Sequence, residues 1–203
     1  METGTVLYLN GPSSSGKHAI VAALQETMEE PWFNVGIDQW FYNFPARFIG
    51  TRPQAAEGLP WVVDADGRLV KTATGPAGER LMRGLYTTVA ALAATGTNVA
   101  VDDVMYEPWM VPACAHALAG SRAYFIGVRC RREVVEAREQ ARGDRPAGLA
   151  ACNYDLVHRH AVYDLEVETS NVSAAACAAQ IKAYLSERRQ PQAFKPLAEQ
   201  AEA

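Results

Sequence analysis

A chain of 203 residues, 49% hydrophobic and 21% charged, has the size and composition of one soluble globular domain with room for a small insertion. Its 19 basic and 23 acidic side chains leave a formal charge of −4, which excludes the broad basic face that nucleic-acid binding requires, so any anion site must be local. Cys114, Cys130, Cys152 and Cys177 lie far apart without a C-x-x-C pair, the N-terminus shows no signal-peptide pattern, and no apolar run approaches the ~18 residues of a membrane span; reduced thiols, no membrane partner and a cytoplasmic location are expected.

The first element is an apolar strand, Thr5 to Leu9, running into Asn10-Gly11-Pro12-Ser13-Ser14-Ser15-Gly16-Lys17-His18. Gly11, Gly16 and Lys17 fit the phosphate-loop pattern G-x-x-x-x-G-K-[ST]. There the backbone of the loop, here Pro12 to Ser15 between the glycines, surrounds the β-phosphate with the N–H groups that every loop residue but Pro12 carries, the lysine reaches the β and γ oxygens, and the following helix presents its positive end. The last position of the pattern is His18, which has no hydroxyl for Mg²⁺. An imidazole is a poor Mg²⁺ ligand, so His18 is expected to turn away from the cation and leave its place to water.

A helix over Lys17 to Glu29 follows, then a strand over Phe33 to Ile37 that ends at Asp38. In an open parallel sheet, functional groups gather beyond the carboxyl ends of the strands. Asp38 is therefore a candidate general base for a substrate hydroxyl, or an N-cap of the helix expected over Gln39 to Phe48, and one residue can serve both roles. Trp40, Phe41, Tyr42 and Phe44, with Trp61, are candidates for the wall of a substrate pocket, with core packing as the alternative. Between Trp61 and Val70 an Asp-Gly turn joins two short apolar arms, which reads as an inserted β-hairpin.

Beyond a helix over Ala77 to Ala94, the strand Asn98 to Val101 ends in Asp102-Asp103, the pattern of an acid that holds Mg²⁺ directly or through water. Neighbouring strand residues face opposite ways, so one of the pair faces the cation. Helices over Met110 to Leu118 and Arg131 to Ala141 flank a strand over Arg122 to Val128. Arg138, Arg142 and Arg145 then lie where the second of these helices breaks into a Gly/Pro loop, as in a lid that brings arginines to a transferring phosphoryl group and excludes water. The competing reading is a solvated helix face on which Glu133, Glu136 and Glu139 pair with Arg131, Arg132, Arg138 and Arg142. A helix over Gly148 to Tyr163, a strand over Leu165 to Val167 and a helix over Ser173 to Glu187 complete the pattern. His158 and His160, two apart on that helix, are given no catalytic role.

The strand–helix alternation predicts right-handed βαβ units around a parallel sheet. Residues 1–189 form one phosphate-loop domain, with a lid at about 138–148 and an insertion at about 39–76, and residues 190–203 form a flexible tail rich in Pro, Ala and charge.

Taken together, Asn10 to Lys17, Val35-Gly36-Ile37-Asp38, Asp64-Ala65-Asp66-Gly67, Val101-Asp102-Asp103-Val104, Gly127-Val128-Arg129-Cys130 and Ala141-Arg142-Gly143-Asp144-Arg145 resemble, in order, chloramphenicol phosphotransferase. The resemblance implies a fold like that of nucleoside monophosphate kinases with a five-stranded parallel core, and an ATP- and Mg²⁺-dependent enzyme that phosphorylates a hydroxyl of the antibiotic. Asp38 is then the base and Lys17 the phosphate lysine. The chain departs from the family at His18, where the family has a hydroxyl residue, and in the aromatic segment from Gln39 to Leu59. Two other readings stand beside this one. The first is a kinase of another hydroxylated metabolite, such as a sugar or nucleotide-sugar in the manner of zeta toxins, and the second is a non-catalytic nucleotide-binding protein whose metal site is impaired at His18. A guanine-specific switch is disfavoured, because no [NT]-K-x-D segment is present.

Overall fold

The computed structural model describes residues 3–187 and 189–199. Its centre is strand β1 (Thr5–Asn10), whose Val6, Leu7, Tyr8 and Leu9 are all fully buried, as a continuous apolar run demands when helices cover both faces of a sheet. The chain continues through α1 (Lys17–Thr27), β2 (Trp32–Gly36), α2 (Ile37–Tyr42), β3 (Ile49–Gly50), β4 (Leu59–Val63), β5 (Leu69–Thr72), α3 (Pro76–Ala94) and β6 (Asn98–Asp103). Next come α4 (Met110–Ala117), β7 (Arg122–Arg129), α5 (Arg132–Arg142), α6 (Leu149–Asn153), β8 (Leu165–Glu168), α7 (Ala174–Ser186) and α8 (Phe194–Glu199).

The main sheet has five parallel strands in the order β2-β6-β1-β7-β8, as expected. Side-chain alternation along β1 sorts the core into two layers. Val6 and Tyr8 join α3, α4 and α8 through Leu85, Val89, Met110 and Phe194. Leu7 and Leu9 join α1 and α7 through Ile20, Leu24, Cys177 and Ile181.

The inserted hairpin is present. Strands β4 and β5 pair antiparallel around a turn in which Asp64 Oδ1 accepts from the N–H groups of Asp66 and Arg68, and Gly67 takes φ 78°, the left-handed region where Asp-Gly turns place glycine. β3 adds a third strand.

Three expectations are corrected. The helix after Asp38 stops at Tyr42, and Pro45 separates it from a single 3₁₀ turn at Ala46–Phe48, because proline cannot continue the hydrogen-bond ladder. The helix expected over Gly148 to Tyr163 is α6 alone, followed by turns; the Val157 carbonyl accepts from the Asn10 side chain at 2.6 Å and serves β1. The expected tail carries α8, with Ala193, Phe194 and Leu197 buried against the sheet and Phe194 stacked on Phe125. Residues 200–203 of that tail lie outside the described residues.

Candidate active site

The loop between β1 and α1 is built for backbone approach. A Cβ on Gly11 would lie 2.5 Å from the Val128 carbonyl oxygen, so only glycine lets the loop cross β7. Ser14 (φ 62°) and Gly16 (φ 92°) take left-handed conformations, which turn successive N–H groups inward as an anion nest does. Lys17 is folded over the loop, donating to the carbonyls of Gly11 and Pro12 at 2.8 Å and to Ser15 Oγ at 3.4 Å. Burial lowers its pKa to about 8, against the opposing pull of the Asp102, Asp103 and Asp38 carboxylates.

The two acids of β6 have different places. Asp103 shares the parity of Val99 and Val101 and points into the core, where Oδ2 accepts from Tyr8 OH at 2.5 Å and Oδ1 from its neighbour's N–H; burial raises its pKa to about 6. Asp102 shares the parity of Ala100 and lines the cleft. Of the two candidates for the cation, the geometry leaves Asp102. His18 Nδ1 lies 3.5 Å from Asp102 Oδ2.

Asp38 sits in the first turn of α2 and lines the same cleft. Across from it, Arg145 forms a two-pronged ion pair with its carboxylate. Arg142 pairs with Asp144 at 3.0 and 3.1 Å, and both line the cleft. Arg138 donates to the Thr169 carbonyl at 2.7 Å while Thr169 Oγ1 donates to the Ser15 carbonyl, so α5 is tied to the phosphate loop. Arg131–Glu133 and Arg132–Glu136 pair on the helix surface, but Glu139 does not join them. It is buried and accepts from the N–H groups of Gly148 and Ala150, satisfying donors at the start of α6. The Leu69 N–H donates to the Ala147 carbonyl at 2.8 Å, which joins the lid to the hairpin.

These elements enclose a cleft of about 910 Å³. Of the expected aromatic wall, Phe41 and Trp61 line it. Trp40 instead packs into the core and donates Nε1 to the Leu81 carbonyl; Tyr42 is 90% exposed; Phe44 packs on Phe48 beside a separate surface groove. Helix α2 is barely more than one turn long, so its residues face four directions and a single aromatic cluster in sequence is scattered in space. Thr72, Tyr106 and Asn153 complete the wall, with Thr72 Oγ1 donating to Asn153 Oδ1 at 2.9 Å. No sequence signal pointed to them, nor to Glu139 and Thr169, because each acquires its place through a contact distant in the chain.

Among the described residues, five buried side-chain polar atoms have no hydrogen-bond partner, and three of them belong to residues lining this cleft: Ser14 Oγ, Arg145 Nε and Asp102 Oδ1. Unpaired buried polar groups are costly. Two of these can donate to a phosphate and one belongs to a carboxylate short of a positive partner, so the residues present fit a nucleotide and its cation.

The description of a chloramphenicol phosphotransferase-like protein family matches residues 4–186. The chain belongs to this family. It is accordingly a transferase of the kinase type. Two Mycobacterium tuberculosis proteins provisionally named O-phosphotransferases are each 32% identical to it over 174 residues, 84% of this chain and 77% of theirs. Among solved structures it is similar to the Mycobacterium tuberculosis APS kinase in complex with AMPPNP and APS, with TM-score 0.67 and 14% identity over 92% of this chain and 99% of that one. It is also similar to the Acinetobacter baumannii shikimate kinase in complex with shikimate, with TM-score 0.56 and 17% identity over 93% and 96%. These likenesses place the fold among the P-loop kinases. Among the described residues, no helix is long and apolar enough to cross a membrane.

Proposed function

We propose that this member of the family transfers the γ-phosphoryl group of ATP to a hydroxyl of a neutral small molecule with an apolar body, with chloramphenicol or a related amphenicol as the leading acceptor. The observation that carries the reading is the division of the cleft. Its cations, Lys17, Arg138, Arg142 and Arg145, come from the phosphate loop, α5 and the lid, whereas the wall built by α2, β4 and α6 offers Ile37, Phe41, Leu59, Trp61 and Leu149. Apart from Asp38, that wall has no charged side chain. A carboxylate, sulfate or phosphate on the acceptor would meet a cation there only at Arg145, which Asp38 already engages, while an aromatic or aliphatic body would lose its water against matching surface.

Asp38 is positioned to accept the acceptor's hydroxyl proton as that oxygen forms its bond to the γ-phosphorus and the bond from phosphorus to the β–γ bridging oxygen breaks, releasing ADP. Lys17 and the loop N–H groups would hold the β and γ phosphates, and Arg142 and Arg145 would neutralise charge on the moving group. Asp102 is the residue to hold Mg²⁺, which when bound supplies charge neutralisation between the β and γ oxygens. Glu139 and the Leu69–Ala147 bond anchor residues 147–148 beside the cleft, where a lid would exclude water.

The test is a screen of ATP-dependent phosphorylation across amphenicols, other hydroxylated antibiotics and sugars, read by mass spectrometry for an added phosphate. Transfer to amphenicols with none to sugars is expected. Transfer confined to sugars or to acidic acceptors would overturn the acceptor assignment, and no transfer to any alcohol would overturn the function.

A further inference from the structure

We propose that His18 is a nitrogen ligand of the cation that accompanies the nucleotide, sharing it with Asp102, so that this site takes Mn²⁺ in preference to Mg²⁺. The proposal rests on the phosphotransfer reading and concerns the position where this chain lacks the hydroxyl of the phosphate-loop pattern. His18 stands in the first turn of α1, next to Lys17, and lines the cleft with Asp102. Its Nδ1 is 3.5 Å from Asp102 Oδ2. That is long for a hydrogen bond but near the separation of about 3 Å that two adjacent donors take on an octahedral cation with bonds of about 2.1 Å.

The surrounding groups make the pair available. Asp102 is 8% exposed, and its other oxygen is buried with no donor to satisfy it. Asp103 is committed to Tyr8 and the backbone and cannot supply a second oxygen. Among the described residues, no group of three or more His, Cys, Asp and Glu side chains could hold a metal. The protein therefore offers one nitrogen and one oxygen, and the cation must arrive with the phosphates that complete its shell. Mg²⁺ is hard and seldom takes imidazole, whereas Mn²⁺ keeps the octahedral geometry and phosphate oxygens while accepting a nitrogen.

The experiment uses the full chain with Mn²⁺ and the methylene analogue of ATP, which has no bridging nitrogen and cannot be hydrolysed. Pulsed electron paramagnetic resonance reads nitrogen coupling to Mn²⁺, and calorimetry reads affinity for the Mn²⁺ and Mg²⁺ complexes in the native chain and in His18→Ser. The expected result is a ¹⁴N coupling in the native complex that His18→Ser removes, with the Mn²⁺-over-Mg²⁺ preference falling about tenfold, the lower end of what changes around a metal site cost in affinity. His18 has an exposed side chain (73%), so the variant should keep its thermal midpoint. A native complex without the coupling, or a variant that retains both coupling and preference, overturns the proposal while analogue binding upholds nucleotide recognition. If the analogue binds with neither cation, the phosphotransfer reading falls and the proposal falls with it.

Discussion

Arg145 reaches from the loop between α5 and α6 to Asp38, a residue 107 positions earlier, and lays two guanidinium nitrogens against the two carboxylate oxygens, one at 3.0 Å. The arginine expected to meet the phosphoryl group and the acid expected to take the proton thus hold each other across the cleft. An acceptor hydroxyl that approaches Asp38 has to displace this contact and frees the arginine from it.

Asp38→Asn should leave nucleotide affinity nearly unchanged and slow the chemical step by ~10²-fold or more, the scale of general-base catalysis. Calorimetry with ATP and single-turnover kinetics with acceptor separate the two effects. Wild-type turnover in the variant would leave Asp38 without a part in the proton transfer.

Arg145→Ala should cost little stability, because the pair is half open to water, with side-chain exposures of 23% and 59%, and such pairs contribute about 0–1 kcal/mol. Phosphoryl transfer should nevertheless fall by ~10²–10³-fold, and Arg142→Ala should behave in the same way. Unaltered turnover at saturating substrates would make both arginines surface charges.

Lys17 loses its proton near pH 8 in the free protein, and nucleotide phosphates beside it would raise that value. ATP binding above pH 8 should therefore take up a proton, with affinity declining as pH rises through this range. Calorimetry in buffers of different ionisation enthalpy measures the uptake, and Lys17→Ala should abolish it and weaken ATP more than AMP. Equal proton uptake by the variant would assign it elsewhere.

Asp103 gives a pH dependence of opposite origin. Its pKa is raised by burial from 3.8 to about 6, so the folded chain binds its proton more tightly than the unfolded chain does. This contribution to stability is fully present below the ordinary carboxylate range and is lost as pH rises through 6, a fall of roughly 3 kcal/mol. Denaturant titrations between pH 4 and 7 should show the fall in the native chain and a flatter profile in Asp103→Asn. Parallel profiles would refute it.

Trp61→Ala should raise the acceptor KM by about 10- to 100-fold through lost apolar contact, whereas Tyr42→Ala, which alters a 90% exposed side chain, should leave it unchanged. Equal effects of the two would show that the acceptor sits elsewhere.

The sheet, the phosphate loop and the hairpin were legible in sequence because each rests on a local rule: continuous apolar runs, glycines at fixed spacing, an Asp-Gly turn. Strand parity also foretold that only one of Asp102 and Asp103 faces the cleft, and the packing of Tyr8 on β1 decided which. Contacts between distant segments were not legible. Glu139 reads as one more charge on a solvated helix, and only the folding back of residues 148–150 makes it an acceptor of two backbone donors. The same holds for Trp40, whose indole finds the Leu81 carbonyl on α3, and for Asn153, whose amide meets the hairpin at Thr72. At α8, Phe194 and Leu197, with Ala193 just before the helix, carry a one-turn apolar face, but so short a segment amid proline and charge gives periodicity little to work on.

That helix also sets the order in which the molecule can mature. Phe194 packs edge-on against Tyr8 and flat against Phe125, so one of the first strand's core neighbours is synthesised about 186 positions after Tyr8. Contacts of such sequence separation carry a large loop-closure entropy and slow the search for the native state. During synthesis, the α3–α4 side of the sheet must wait with Tyr8 and Phe125 uncovered until residues 193–197 emerge. A nascent chain halted before that point would expose an aromatic patch of the kind chaperones shield, even with its phosphate loop already made.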